Sequence, residues 1–78
     1  MSDLLPNNVK NIMADVFEIN RDSIADNWEM GNPDQWDSGN HVRLILALEE
    51  EFGVSFEVPE IEAMTSFKRL LATLEAKL

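Results

Sequence analysis

The 78-residue chain contains no cysteine, which excludes disulfide bonds and thiolate metal sites and leaves no protein thiol for chemistry. We therefore expect a protein of the reducing cytoplasm. No segment approaches the roughly 20 apolar residues of a membrane span. The first residues also lack the basic start and the apolar run of a signal peptide, so we expect neither a membrane span nor secretion.

Basic residues are scarce: six lysines and arginines face 15 acidic residues, and the formal net charge is -9. Such a chain repels phosphate backbones and anionic lipid, so nucleic acid is not an expected partner. Between residues 26 and 62, ten acids accompany a single base, Arg43. This concentration of charge predicts an acidic surface that attracts basic partners, or a solvated face that only keeps the protein soluble.

The first 17 residues show a helical period that predicts a helix ending near Phe17, with Asp3 as a possible cap and Pro6 in its first turn. Its apolar positions are Leu5, Val9, Ile12, Met13 and Val16. Residues 18–36 have no sustained period and are rich in helix-breaking types, which predicts a long loop. We expect the loop to pack on the core through Ile19, Ile24, Trp28, Met30 and Trp36.

The second half of the chain predicts three more helices. One runs from Ser38 to Phe52 and stops at Gly53, a short one covers residues 58–64, and the last begins after a Ser66 cap. The apolar positions of the last helix are Phe67, Leu70, Leu71, Leu74 and Leu78. We predict an all-α four-helix bundle of three longer helices and one short one, with a long loop between helices 1 and 2, as a single domain over residues 1–78.

The second predicted helix has two apolar regions. The core-facing stripe consists of His41, Leu44, Ile45, Leu48 and Phe52. Val42 and Leu46 lie off this stripe, on the same side as Glu49 and Glu50. Taken alone they are ordinary exposed aliphatic residues, but beside carboxylates they predict a small, transient docking surface.

Ser38 occupies the first turn of this helix, next to Asp37. Either residue can be the N-cap, and a helix start also favours a bound phosphate. A catalytic serine needs an adjacent base, but the single histidine, His41, projects toward the core. Trp36 and Asn40 stand where a nucleophile elbow needs glycines. Trp36 also replaces an oxygen ligand of an EF-hand loop, so we expect neither a catalytic residue nor a metal site.

Residues 36–38 (WDS) and 41–54 (HVRLILALEEEFGV) resemble the modification site and second helix of acyl carrier proteins. The resemblance extends over nearly the whole chain. It implies that a phosphopantetheinyl transferase moves 4'-phosphopantetheine from coenzyme A onto Ser38, between Asp37 and Gly39. Acyl groups then travel as thioesters on the thiol of the arm, so the protein is a carrier and not an enzyme. The positions that match the family's contacts with basic docking patches are Val42, Arg43, Leu46, Glu49 and Glu50.

The chain departs from the family pattern at two positions. Gly39 stands where leucine is usual, which removes an apolar contact for the transferase, and Arg43 stands where an acid is frequent. The resemblance implies a discrete, monomeric carrier for fatty-acid, polyketide or specialised acyl assembly, with acyl-transferring, ligating or condensing enzymes as partners. Two alternatives stay open: an aminoacyl or peptidyl carrier, and a carrier-like fold without the arm that serves as an acidic interaction module.

Overall fold

The computed structural model describes residues 4–78 and forms four helices in them. They are α1 (Leu4–Phe17), α2 (Ser38–Phe52), α3 (Val58–Ala63) and α4 (Phe67–Lys77), with a 3-10 turn at Arg21–Ser23. The predicted all-α bundle of three longer helices and one short helix is confirmed. None of these helices is long and apolar enough to cross a membrane. The predicted cap Asp3 lies outside the described residues.

The core lies between α1, α2 and α4, each of which buries side chains at helical spacing. These are Val9, Met13 and Phe17 from α1, His41, Leu44, Ile45 and Leu48 from α2, and Phe67, Leu70 and Leu74 from α4. Phe52 packs against the core but is only partly buried. Leu78, the last apolar position of the predicted final helix, is 63% exposed and lies outside α4. It follows the last residue of α4, where no further turn holds it against the bundle.

The loop between α1 and α2 packs on the bundle, as its apolar residues predict. Ile24 and Trp36 are buried, and Ile19 and Trp28 are partly buried against the core. Met30 is 36% exposed, so its predicted packing is wrong. Its backbone explains its position, because the Met30 N–H donates to the Thr65 carbonyl at 2.8 Å and the Phe67 N–H donates to the Trp28 carbonyl at 2.9 Å. The loop is thereby fixed to the start of α4 through its backbone.

Two ion pairs tie separate elements together. Lys10 on α1 lies 2.8 Å from Asp26 in the loop, and Lys77 on α4 lies 2.8 Å from Glu60 on α3. The hydrogen bond and charge of Lys10 lower the pKa of Asp26. The hydrogen bond from Lys77 lowers the pKa of Glu60, and the N–H of Glu57 adds to the effect. Short α3 has no fully buried residue, and it is held by the Lys77–Glu60 pair together with the packing of Ile61 against the core.

Candidate functional site

The start of α2 resolves the choice between Asp37 and Ser38 as the cap. Asp37 has an extended backbone and its Oδ1 accepts a hydrogen bond from the Asn40 N–H at 2.8 Å, so Asp37 is the N-cap. Ser38 is the first helical residue and its side chain is exposed. Within residues 4–78, the Ser38 hydroxyl has no hydrogen-bond partner. Because Asp37 does the capping, the hydroxyl is left available.

The three residues before Ser38 are each held by α2. Asn40 Nδ2 donates to the Gln35 carbonyl at 2.7 Å, and the His41 N–H donates to the Asp37 carbonyl at 2.8 Å. The Trp36 indole Nε1–H donates to His41 Nδ1 at 3.0 Å. The free serine hydroxyl therefore follows three residues that hydrogen bonds attach to α2.

His41 has no free ring nitrogen. An indole N–H can only donate, so His41 Nδ1 accepts from Trp36 and the ring proton lies on Nε2. Nε2 lies 2.9 Å from the Ile61 carbonyl of α3 and donates to it. The ring also stacks near Trp36, whose own ring lies 5.8 Å from that of Phe17. His41 is thus a buried connector, which agrees with its predicted core position and leaves Ser38 without a base from this histidine.

The backbone around Ser38 leaves room for an anion. The N–H groups of Ser38 and Gly39 have no hydrogen-bond partner in the part of the chain that the structure describes. Such groups at a helix start favour a phosphate, although the adjacent Asp37 carboxylate opposes it. The described residues contain no group of three or more histidine, aspartate or glutamate side chains that could hold a metal ion. The start of α2 thus presents the Ser38 hydroxyl and two unpaired N–H groups beside the exposed carboxylate of Asp37.

No protein-family model matches the chain. The chain is similar to an acyl carrier protein of Lactobacillus acidophilus, with 44% identity over 57 residues, which are 73% of this chain and 69% of that protein. The chain belongs to the acyl carrier protein family. The family indicated by residues 36–54 is thereby confirmed. Members of this family carry groups and do not catalyse their conversion, so a carrier role follows for this chain.

The predicted docking residues of this acyl carrier protein lie on the outer side of α2. Val42 is 54% exposed and Leu46 is 59% exposed, and both lie outside the core, as their positions on the helix predict. Arg43 and Glu50 are also exposed, and neither forms an ion pair with another described residue. Glu49 differs, because it is partly buried and its Oε2 accepts from the Phe56 N–H at 2.8 Å. One oxygen of Glu49 therefore holds the connection between α2 and α3.

Gly39 is not required by the backbone of this acyl carrier protein. Its φ is not positive, and a Cβ at this position would meet only Asp37 Oδ1, at an ordinary contact distance of 3.6 Å. We expect Gly39→Ala to raise the free energy of unfolding by about 0.5–1 kcal/mol, because glycine loses more conformational entropy in a helix. Urea denaturation followed by circular dichroism measures this change.

The matched control for Gly39→Ala is Gly53→Ala at the other end of α2. Gly53 adopts a left-handed conformation with φ 66° and ψ 36°, which is strained for alanine. The two substitutions should therefore change the free energy of unfolding in opposite directions. A loss of stability in Gly39→Ala would show that the glycine has a structural role that its surroundings do not indicate.

Proposed function

We propose that Ser38 is the attachment point of a 4'-phosphopantetheine arm, which a phosphopantetheinyl transferase loads from coenzyme A. The arm carries acyl intermediates as thioesters for fatty-acid, polyketide or related specialised acyl assembly. One observation supports this more than any other: the Ser38 hydroxyl is exposed and unbonded in a family whose members are carriers. The absence of cysteine is consistent with the proposal, because the thiol belongs to the arm.

The attachment chemistry requires little from the chain itself. Ser38 Oγ forms a bond to the phosphorus of the arm and loses its proton, while the bond from that phosphorus to the nucleotide part of coenzyme A breaks. His41 has both ring nitrogens occupied and cannot take the proton. This histidine is therefore not the base, and we propose that the transferase supplies it. The chain supplies a fixed hydroxyl and, in the free N–H groups of Ser38 and Gly39, donors for the resulting phosphodiester.

The outer side of α2 offers partner enzymes a surface next to the attachment point. Val42 and Leu46 provide apolar area, and Glu50 provides an exposed negative charge beside them. Opposite charges accelerate encounter, and a small apolar area holds the complex briefly. Partners should therefore carry basic patches with an apolar contact at their centre. Arg43 interrupts the acidic surface, and it favours partners that place an acid opposite this position.

We expect Leu46→Asp to lower kcat/KM for arm loading by about tenfold, the size of a loss near 1.4 kcal/mol in binding. The effect should lie mainly in KM, because Leu46 contacts the partner and not the reacting atoms. The control is Leu78→Asp, which places the same charge at a residue exposed to a similar extent at the end of α4. Steady-state loading assays measure both variants. Equal losses in the two would contradict a docking role for α2.

The loading of wild-type protein tests the proposed function directly. Incubation with coenzyme A and a broad-specificity phosphopantetheinyl transferase should add the mass of the arm once per chain. Trypsin should release residues 22–43 as one peptide, which contains Ser23 and Ser38, so fragment ions must assign the site. Arm on Ser38 supports the proposal. No gain in mass, or arm on Ser23, would overturn it, and a wholly unmodified protein in its native host would favour the interaction module.

A further inference from the structure

His41 occupies a central position between three parts of the fold. Its ring accepts from Trp36 in the loop, it is itself part of α2, and it donates to the Ile61 carbonyl of α3. Among the described residues, this is the hydrogen bond that joins a side chain of α2 to α3. Both nitrogens of a buried histidine need a partner, and here the two partners lie in different parts of the fold, the loop and α3.

The two hydrogen bonds of His41 depend on each other. The Ile61 carbonyl can only accept, so it holds the ring proton on Nε2 and leaves Nδ1 as an acceptor. Nδ1 is then able to accept from the indole of Trp36, a donor with no exposed surface. If the proton moved to Nδ1, two N–H groups would face each other and the contact would be lost. The position of the Ile61 carbonyl therefore determines whether the indole N–H of Trp36 has an acceptor.

Trp36 lies two residues before Ser38. Restraints on the position of Trp36 therefore also limit the position of the attachment point. Its backbone carbonyl accepts from the Gly31 N–H at 2.8 Å and its N–H donates to the Pro33 carbonyl at 3.0 Å. Loss of the indole hydrogen bond would remove one restraint on Trp36, and Asp37 and Ser38 would then be positioned less firmly. A displacement of about 1 Å in a reacting group can cost 100-fold in rate.

We propose that His41 is a positioning residue for arm loading, which fixes Ser38 through Trp36 while the Ile61 carbonyl sets its tautomer. This inference rests on the proposed attachment at Ser38. It assigns His41 a role in kcat, because Ser38 must meet the reacting phosphorus in the right orientation. Docking through Val42 and Leu46 is left unchanged, since both lie on the opposite, exposed side of α2.

Two substitutions by amide residues separate the hydrogen bond of His41 to Trp36 from its hydrogen bond to Ile61. The side-chain amide of asparagine reaches about as far as Nδ1, so His41→Asn can still accept from Trp36. The amide of glutamine reaches about as far as Nε2, so His41→Gln can still donate to the Ile61 carbonyl but leaves the indole unpaired. We expect kcat for arm loading to fall between about 10- and 100-fold in His41→Gln, with KM within about twofold, and to recover in His41→Asn.

The assay uses full-length protein, coenzyme A and the transferase that loads the wild type, at a temperature where circular dichroism shows every variant folded. Val9→Ala is the control for a general loss of core stability, because Val9 is buried in α1 and takes no part in the hydrogen bonds of His41. Its kcat should equal that of the wild type. Equal kcat values in His41→Gln and wild type, or equal losses in His41→Gln and Val9→Ala, would overturn the proposal.

A second measurement needs no variant and no loading. Nitrogen-15 spectroscopy of the wild-type protein should show His41 as the Nε2–H tautomer, together with slow exchange of the Trp36 indole proton. An Nδ1–H tautomer would overturn the inference even if Ser38 is loaded. If the wild type takes no arm, the proposed function fails, while the tautomer still reports whether His41 bridges Trp36 and Ile61. The two failures are thereby distinguished.

Discussion

Replacing Ser38 by alanine is expected to abolish arm loading and to leave the fold unchanged. The new bond forms to Ser38 Oγ, and alanine has no oxygen at this position. The fold should survive because Asp37 caps α2 and the Ser38 side chain is exposed without a hydrogen bond to any described residue. Intact mass after incubation with coenzyme A and the transferase measures loading, and urea denaturation should give a free energy of unfolding within about 0.5 kcal/mol of wild type.

Ser55→Ala is the matched control for Ser38→Ala. Ser55 is also exposed and has no hydrogen bond within residues 4–78, but it lies in the connection between α2 and α3. Ser23 and Ser66 are less suitable, because the Ser23 hydroxyl donates to the Asn20 carbonyl and the Ser66 oxygen accepts from the Arg69 N–H. Ser55→Ala should be loaded at the wild-type rate. Loading of Ser38→Ala at that rate would remove Ser38 from the site.

The bounds of α2 could be predicted because both of its ends carry local signals. Asp37 accepts from an N–H in the first turn, and Gly53 adopts the left-handed conformation that ends the helix. The prediction from Ser38 to Phe52 is confirmed for this reason. The short helix was predicted to residue 64 and ends at Ala63, where Met64 leaves the helical conformation and turns into the core.

The path of the loop before α2 could not be predicted from the sequence. Composition indicates that the loop packs on the core, but its position depends on backbone hydrogen bonds to the start of α4, such as that from Met30 to Thr65. Backbone groups are the same at every residue and leave no pattern in the sequence. The apolar side chain of Met30 predicts a place in the core, but the hydrogen bond of its backbone leaves that side chain at the surface.

The candidate site likewise contains features that the sequence predicts and contacts that it does not. Ser38 follows from local residues, and the exposure of Val42 and Leu46 follows from the helical period. The contacts of His41 with Trp36 and Ile61 were not foreseen, because the second joins residues 20 apart and has no period. A histidine on an apolar helix face near a tryptophan was the available signal. On sequence alone it indicates a core position and the absence of a catalytic base, and it does not identify the two partners.

Trp36→Ala is expected to cost about 3–5 kcal/mol in the free energy of unfolding. Trp36 has no exposed surface, and its loss removes the ring that packs beside Phe17 and leaves His41 Nδ1 without its donor. Small domains have only about 5–15 kcal/mol in total, so urea denaturation should show a much lower midpoint. Trp28→Ala is the control, because Trp28 is only partly buried, and its cost should be clearly smaller. Equal losses for the two tryptophans would show that Trp36 does not anchor the segment before Ser38.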